Sequence, residues 1–191
     1  MTSQENFVET LIEKLNQQSI PYMLSGSFSS SLHGQPRATK DVDIVIAPTE
    51  EQVLNFAGTL GESYYVSLDA VRDAFAHTST FNVIDKLSAW KADFIICKDR
   101  PFSHQEFKRR STTKIKGVDV WVTSPEDIIL SKLEWAKDSQ SELQFRDALG
   151  VAVVQWACLD QHYLHKWAKQ LQVECSLKQL LKQAKKLIEA R

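Results

Sequence analysis

An alternating segment at residues 41–46, Asp-Val-Asp-Ile-Val-Ile, constrains the fold more than any other part of the chain. Successive side chains of a strand point to opposite faces, so the apolar residues at 42, 44 and 46 share one face. Asp41 and Asp43 share the other face, about 6.6 Å apart along the strand, a spacing that suits two divalent ions about 3.5–4 Å apart. The segment therefore predicts a strand that packs on a core and presents paired carboxylates.

A small-residue segment precedes this strand and predicts a phosphate-binding turn. Pro21–Leu24 is typical of a short buried strand, and Ser25-Gly26-Ser27 then opens a run of small residues that predicts a helix. The first backbone N–H groups of a helix have no internal partner and favour anions. Gly26 would let the backbone approach a phosphate closely, and the Ser27 hydroxyl would add a donor.

These motifs resemble those of the DNA polymerase beta-like nucleotidyltransferase superfamily, in which Gly-Ser precedes Asp-x-Asp by about a dozen residues. The resemblance extends to the small bacterial abortive-infection (AbiEii-like) toxin-type enzymes. Residues 36–43 read Pro-Arg-Ala-Thr-Lys-Asp-Val-Asp and residues 125–133 read Pro-Glu-Asp-Ile-Ile-Leu-Ser-Lys-Leu. The matching motifs occur in the family's order over about two-thirds of the chain.

The resemblance implies a third metal-binding carboxylate on a neighbouring strand. The segment 91–96, Lys-Ala-Asp-Phe-Ile-Ile, supplies Asp93 opposite an apolar face. Asp41, Asp43 and Asp93 would then bind two Mg²⁺ ions, with Mn²⁺ as an alternative. Asp93 would also orient or deprotonate the acceptor.

The resemblance also implies nucleotide-binding roles for Gly26, Ser27, Arg37, Thr39 and Lys132. Lys132 would hold the phosphates or the leaving group, against the simpler interpretation of a solvated helix lysine. Arg37 would neutralise the triphosphate, or pair with a neighbouring aspartate in the absence of metal.

Two residues near the matched motifs have open roles. Arg146 and Asp147 resemble an Arg-Asp segment of the related proteins. They would either frame the site or form a buried structural ion pair.

The predicted fold class is α+β, with a small mixed sheet that carries the carboxylates, flanking helices and a helical C-terminal part. We expect a nucleotidyltransferase core at residues 1–123 and a helical subdomain packed on it at 124–191. Ser124 as N-cap and Pro125 at the first position predict the start of a helix.

Residues 80–85 and 91–96 predict a hairpin. Residues 64–77 predict a lid-like or helical excursion.

The net charge of −1 conceals two basic segments, Lys98–Gly117 and Gln161–Arg191, each with seven Lys or Arg against two acids. The basic residues 108–110 are the better candidate for contact with an RNA acceptor. Three widely spaced cysteines favour neither a disulfide framework nor a zinc site. No apolar run approaches the length of about 18 residues that spans a bilayer, so we expect a cytoplasmic protein without membrane contact.

The resulting hypothesis is a Mg²⁺-dependent transfer of a nucleoside monophosphate from an NTP such as ATP to an acceptor hydroxyl. The acceptor would be RNA, such as a tRNA end, or a protein side chain, and the enzyme would be toxin-like with an antitoxin partner. One alternative is a nucleotide-binding or antitoxin-like regulatory module without catalysis. Another is a nucleotidyltransferase for small molecules such as antibiotics, since the shared site does not select the acceptor.

Overall fold

The computed structural model describes residues 4–190 of the 191-residue chain. The strands are β1 (Tyr22–Ser25), β2 (Asp41–Ile46), β3 (Tyr64–Tyr65), β4 (Thr80–Asp85), β5 (Lys91–Ile96), β6 (Ser111–Ile115) and β7 (Val118–Val122). The helices are α1 (Gln4–Gln17), α2 (Gly26–His33), α3 (Glu50–Thr59), α4 (Leu68–Ala76), α5 (Pro101–Lys108), α6 (Pro125–Ser139), α7 (Glu142–Gln155), α8 (Gln161–Leu171) and α9 (Glu174–Glu189). A single 3₁₀ turn covers Trp156–Cys158.

The chain divides into two compact units. The first contains the residues up to Ser25 together with Thr39–Val122, and the second contains Gly26–Ala38 together with the residues from Thr123 onward. The expected domain boundary between residues 123 and 124 stays a prediction, and residues 1–3 and 191 of those domains lie outside the described residues. The contacts group Gly26–Ala38 with the C-terminal helices.

All strands belong to one sheet in the first unit, in the order β3-β4-β5-β2-β1-β7-β6. The pairs β2/β5 and β1/β7 are parallel, and the other neighbours are antiparallel. This mixed sheet, with helices before, between and after its strands, confirms the predicted α+β class. No helix within residues 4–190 has both the length and the apolar character needed to cross a bilayer.

The core of the first unit follows from strand alternation and helix periodicity. The apolar face of β2 is fully buried at residues 42, 44 and 46, as its pattern predicts. Phe94 of β5 contacts two rings, Phe81 and Phe56, each with a centroid separation of 5.1 Å. Such aromatic contacts stabilise the fold by more than the burial of their apolar area alone would. Because the apolar face of β2 is buried in this core, Asp41 and Asp43 lie on the opposite face of the sheet.

The predicted hairpin is confirmed, since β4 and β5 pair antiparallel, with Thr80 opposite Ile95 at one end and Ile84 opposite Lys91 at the other. The prediction for residues 64–77 is wrong in part. Tyr64 and Tyr65 form β3, which pairs with β4 at the edge of the sheet, and only α4 is helical. Two residues are too few to show a strand period, so the sequence pattern could not reveal this strand.

The second unit consists of α2 and the helices from α6 onward. Helix α6 begins as predicted, with Pro125 at the first position and the Ser124 hydroxyl accepting the Asp127 N–H at 3.3 Å. Its core comes from apolar residues on each long helix. Fully buried examples are Ile128, Leu133, Val151, Leu164, Leu177 and Leu180.

Two contacts tie the end of α2 to its unit. His33 Nε2 lies 2.7 Å from the carbonyl oxygen of Thr123, and Gln155 donates to the His33 carbonyl at 2.8 Å. A carbonyl oxygen only accepts, so His33 Nε2 carries the proton. Burial lowers the pKa of His33, although the hydrogen bond to Thr123 and the charge of Glu126 oppose this shift. His33 is therefore a neutral donor near pH 7.

We predict that Gly34→Ala destabilises the second unit by about 1–3 kcal/mol, because the helix backbones leave no room for a methyl group. A Cβ at Gly34 would lie 2.7 Å from Val151 N and 2.9 Å from Ser30 O, both backbone atoms. Gly150→Ala is the matched control in α7, where the nearest atom to the new Cβ would be 3.6 Å away. Thermal unfolding should place Gly34→Ala below wild type and Gly150→Ala at or above it. Equal melting temperatures for the two variants would contradict the close approach.

We also predict that His33 makes the protein less stable as the pH falls below about 6.5, the usual pKa of an unfolded histidine. The folded protein binds the His33 proton more weakly than the unfolded chain, so stability is complete above that pH and declines beneath it. His33→Gln keeps an amide donor for Thr123 and should show a smaller loss of melting temperature between about pH 7.5 and pH 5.5. An identical pH dependence in wild type and variant would contradict the prediction.

Candidate functional site

The polar face of the sheet brings two of the predicted aspartates into direct register. Asp43 of β2 and Asp93 of β5 are paired positions of the parallel ladder. Asn82 of β4 opposes Asp93, and Ser25 of β1 opposes Asp43. Neighbouring strands are about 4.8 Å apart, so residues far apart in sequence become adjacent along one row. Asp41 lies two residues before Asp43, on the same face.

The carboxylates of this row already have partners. The Asn82 amide donates to Asp93 Oδ1, and Lys91 Nζ donates to Asp93 Oδ2 at 3.1 Å. The same Lys91 Nζ lies 3.5 Å from Asp41 Oδ2. The Thr39 hydroxyl donates to the Asp41 carbonyl at 2.9 Å, so in this structure Thr39 fixes the start of β2. Its contact with a nucleotide stays a prediction.

The chemistry of the donor set fits a divalent metal, since carboxylate oxygens are the preferred ligands of Mg²⁺. Asp41 and Asp93 already orient one oxygen each toward a single cation, the Lys91 ammonium. Within residues 4–190, however, no three His, Cys, Asp or Glu side chains are arranged to hold a metal ion. The predicted metal site of three aspartates therefore stays a prediction. What the structure shows is that two of these aspartates, Asp41 and Asp93, share an ion pair with Lys91.

A second polar cluster lies within the second unit and joins Ser27, Arg37, Lys132 and Asp147. Asp147 accepts from Arg37 Nε at 3.1 Å and from Lys132 Nζ at 2.9 Å. The Ser27 hydroxyl accepts from Arg37 Nη2 at 2.6 Å and from Lys132 Nζ at 3.3 Å. The cluster itself carries two positive charges and one negative. Guanidinium, ammonium and hydroxyl groups are those with which proteins bind phosphate.

The start of α2 explains how Ser27 reaches this cluster. Gly26, the first residue of the helix, has φ of +57°, a left-handed conformation that favours glycine. The Ser27 carbonyl accepts the Ser31 hydroxyl at 2.9 Å, and the same hydroxyl lies 3.4 Å from the Arg37 N–H. These bonds hold the loop before β2 against the helix, which places Arg37 beside Ser27.

The structure resolves several alternatives that the sequence left open. Lys132 is 4% exposed and ion-paired, so it is not a solvated helix lysine. Arg37 pairs with Asp147, a partner 110 residues away in sequence. Arg146 is exposed, whereas the Asp147 side chain is 7% exposed. Of the two Arg-Asp candidates, Asp147 is therefore the one that joins the cluster.

Lys91 is the residue of the carboxylate row that sequence reasoning missed. Its signal was present as Lys91-x-Asp93, because residues two apart on a strand share a face. The role of the lysine still required the register of β5 against β2, which the sequence does not encode locally.

The basic segment at 108–110 is less available than its composition suggests. The Arg110 guanidinium lies 4.3 Å from the Phe107 ring centroid and 4.8 Å from that of Trp121. Burial lowers the pKa of Arg110 from its usual value. Lys108 is exposed, so it is better placed than Arg110 to contact an external phosphate.

We predict that Asp147→Asn destabilises the second unit by about 3 kcal/mol, since it leaves the buried Lys132 without this counter-charge. Added inorganic pyrophosphate should raise the melting temperature of the variant more than that of wild type, because an anion can replace the lost carboxylate. Glu189→Gln, which breaks an exposed pair with Lys185 at 3.8 Å, is the control and should change little. A variant as stable as this control would contradict a structural role for the buried pair.

Neither a protein-family model nor a curated protein matches the sequence. Solved structures do resemble the fold. An antigenic nucleotidyltransferase-like protein from Paracoccidioides brasiliensis aligns with a TM-score of 0.61 and 19% identity, over 93% of this chain and 91% of that one. ANT(2")-Ia in complex with adenylyl-2"-tobramycin aligns with a TM-score of 0.59 and 14% identity, over 90% and 98%.

The lincosamide antibiotic adenylyltransferase LnuA, bound to lincomycin, aligns with a TM-score of 0.54 and 16% identity, over 81% of this chain and 98% of that chain. At such identities the similarity shows a common fold. The chain therefore has the fold of nucleotidyltransferase-like proteins over most of its length.

Proposed function

We propose that the chain is a metal-dependent nucleotidyltransferase of the DNA polymerase beta-like superfamily. It would move a nucleoside monophosphate from an NTP to an acceptor hydroxyl and release pyrophosphate. The observation that carries this proposal is the alignment of Asp43 with Asp93 on adjacent parallel strands, with Asp41 on the same face. The shared fold supports the same reaction class.

Metal binding in this proposal falls to the aspartates of β2 and β5. Asp41, Asp43 and Asp93 would hold Mg²⁺, which supplies charge neutralisation at the phosphates and polarisation of the α-phosphorus. Asp93 would accept the proton of the acceptor hydroxyl as its oxygen attacks that phosphorus. The Asn82 amide bound to Asp93 Oδ1 holds the carboxylate in one orientation for this transfer.

Phosphate binding falls to the polar cluster that contains Lys132. Ser27, Arg37 and Lys132 would bind the triphosphate, and Gly26 supplies the backbone conformation that begins α2. The bond from the α-phosphorus to the bridging oxygen breaks as the new ester bond forms. Lys132 and Arg37 would then neutralise the charge that develops on the departing pyrophosphate.

The acceptor hydroxyl would belong to RNA, such as a tRNA end, or to a protein side chain, as in a toxin-like enzyme balanced by an antitoxin. This choice rests on the motif resemblance at residues 36–43 and 125–133.

A small-molecule acceptor is the second candidate. The solved structures of similar fold favour it, because ANT(2")-Ia was solved in complex with adenylyl-2"-tobramycin and LnuA is a lincosamide antibiotic adenylyltransferase.

We expect wild-type protein with Mg²⁺ and an NTP labelled on its α-phosphate to transfer label to total RNA, total protein or an added antibiotic panel. Asp43→Asn should reduce transfer by at least about 100-fold, because the variant removes a proposed metal ligand but keeps the side-chain size. Denaturing gels detect labelled polymers, and thin-layer chromatography detects labelled small molecules.

Asp119→Asn is the matched control, since Asp119 also lies on a strand but is 68% exposed and pairs only at the surface with Lys114. It should retain full transfer. Nucleotide-dependent thermal stabilisation without transfer to any acceptor would favour the non-catalytic binding module. If the protein shows neither nucleotide-dependent stabilisation nor transfer, the nucleotidyltransferase proposal is refuted.

A further inference from the structure

One lysine occupies the carboxylate row in a way that the proposed reaction does not explain. Lys91 is the first residue of β5 and is the register partner of Asp41. It shares a face with Asp93, two residues later. One ammonium group therefore lies beside carboxylates from two different strands.

The contacts of Lys91 are specific. Its Nζ lies 3.1 Å from Asp93 Oδ2 and 3.5 Å from Asp41 Oδ2, and its side chain is 32% exposed. The Lys91 ammonium therefore directs its positive charge at two oxygens of the carboxylate row.

We propose that Lys91 is a resident counter-ion that competes with the divalent metal of this site. In the metal-free protein it offsets part of the negative charge of Asp41 and Asp93, and it leaves their Oδ2 atoms when a metal binds there. This inference rests on the proposed function. It adds that Lys91 raises the metal concentration needed to fill the site.

Geometry and charge both oppose simultaneous occupancy. Mg²⁺ binds carboxylate oxygens at about 2.0–2.1 Å with near-octahedral geometry, so it would compete with the Lys91 ammonium for positions on the same Oδ2 atoms. The two positive charges would also repel each other at close range. A long, partly exposed lysine side chain with rotatable bonds can move its charge into solvent without displacing the strand.

A purely structural salt bridge makes a different prediction. Removing Lys91 would then lower stability and leave metal affinity unchanged, or weaken it through a misplaced Asp93. A competing counter-ion requires the opposite change in affinity, because the carboxylates of the variant repel one another until a metal neutralises them. The sign of the change in metal affinity therefore separates the two roles.

The experiment compares wild type with Lys91→Met and Lys91→Gln, using Mg²⁺ or Mn²⁺ alone, without nucleotide. Lys86→Met is the matched control, because Lys86 is an exposed lysine in the hairpin just before β5. We expect both Lys91 variants to melt at a lower temperature than Lys86→Met in the absence of divalent metal. We also expect their metal dissociation constants, measured calorimetrically, to be about five-fold or more below that of wild type.

Lys91→Arg keeps the charge and should behave like wild type in both measurements. If the methionine variant fails to fold, the glutamine variant, which keeps a hydrogen-bond donor for Asp93, carries the test. Unchanged or weaker metal binding in the neutral variants overturns the inference, and so does the lack of metal binding by every variant.

These outcomes are separate from those of the transfer assay. Metal binding is read without nucleotide, so the counter-ion role can hold in a protein that transfers no nucleotide. Conversely, Asp43-dependent transfer by wild type, combined with unaltered metal affinity in Lys91→Met, would retain the proposed function and remove only the counter-ion.

Discussion

The parallel pairing of β2 with β5 is the constraint on which the carboxylate row depends. Because the strands are in register, one hydrogen-bonding ladder sets Asp43 against Asp93 and Asp41 against Lys91. The opposite face of the same two strands is apolar and buried at Val42, Ile44, Ala92 and Phe94. A slip of one residue would move the aspartates into the core and expose that apolar set. Burial of the core thus enforces the register that aligns the polar groups.

Each charged cluster is partly compensated by a residue of opposite charge within its own unit. In the first unit, Lys91 supplies positive charge to carboxylates that would otherwise repel each other. In the second, Asp147 supplies negative charge to Arg37 and Lys132, of which the lysine is almost fully buried. A buried charge without a partner is strongly destabilising, so the buried Lys132 needs an internal counter-charge. In the proposed function, ligand binding would exchange these partners, and its affinity would reflect the difference between the two sets of contacts.

The sequence revealed the features whose signals are local. The alternation at β2, the cap at Ser124 and the glycine at the start of α2 each follow from a few adjacent residues, and the structure bears them out. The features that escaped depend on distant pairing. The partner of Asp147 is Arg37, which lies 110 residues away in sequence, so no local pattern could indicate this pair. The two-residue β3 had too few residues for a period, and its pairing with β4 alone makes it a strand.

Charge counted along the sequence also overstates what a surface offers to an acceptor. The segment Lys98–Gly117 carries seven basic residues against two acids, which suggests attraction for a polyanion. In the folded unit, Lys114 pairs with Asp119 at 3.0 Å and Lys116 pairs with Glu5 at 3.2 Å. The Arg110 guanidinium packs on the Phe107 and Trp121 rings instead of projecting into solvent. Part of the positive charge is therefore neutralised or packed within the unit, which weakens the electrostatic argument for an RNA acceptor. In the proposed reaction, short-range contacts around the acceptor hydroxyl would then contribute more to acceptor choice than the segment Lys98–Gly117, as suits a small molecule or a single side chain.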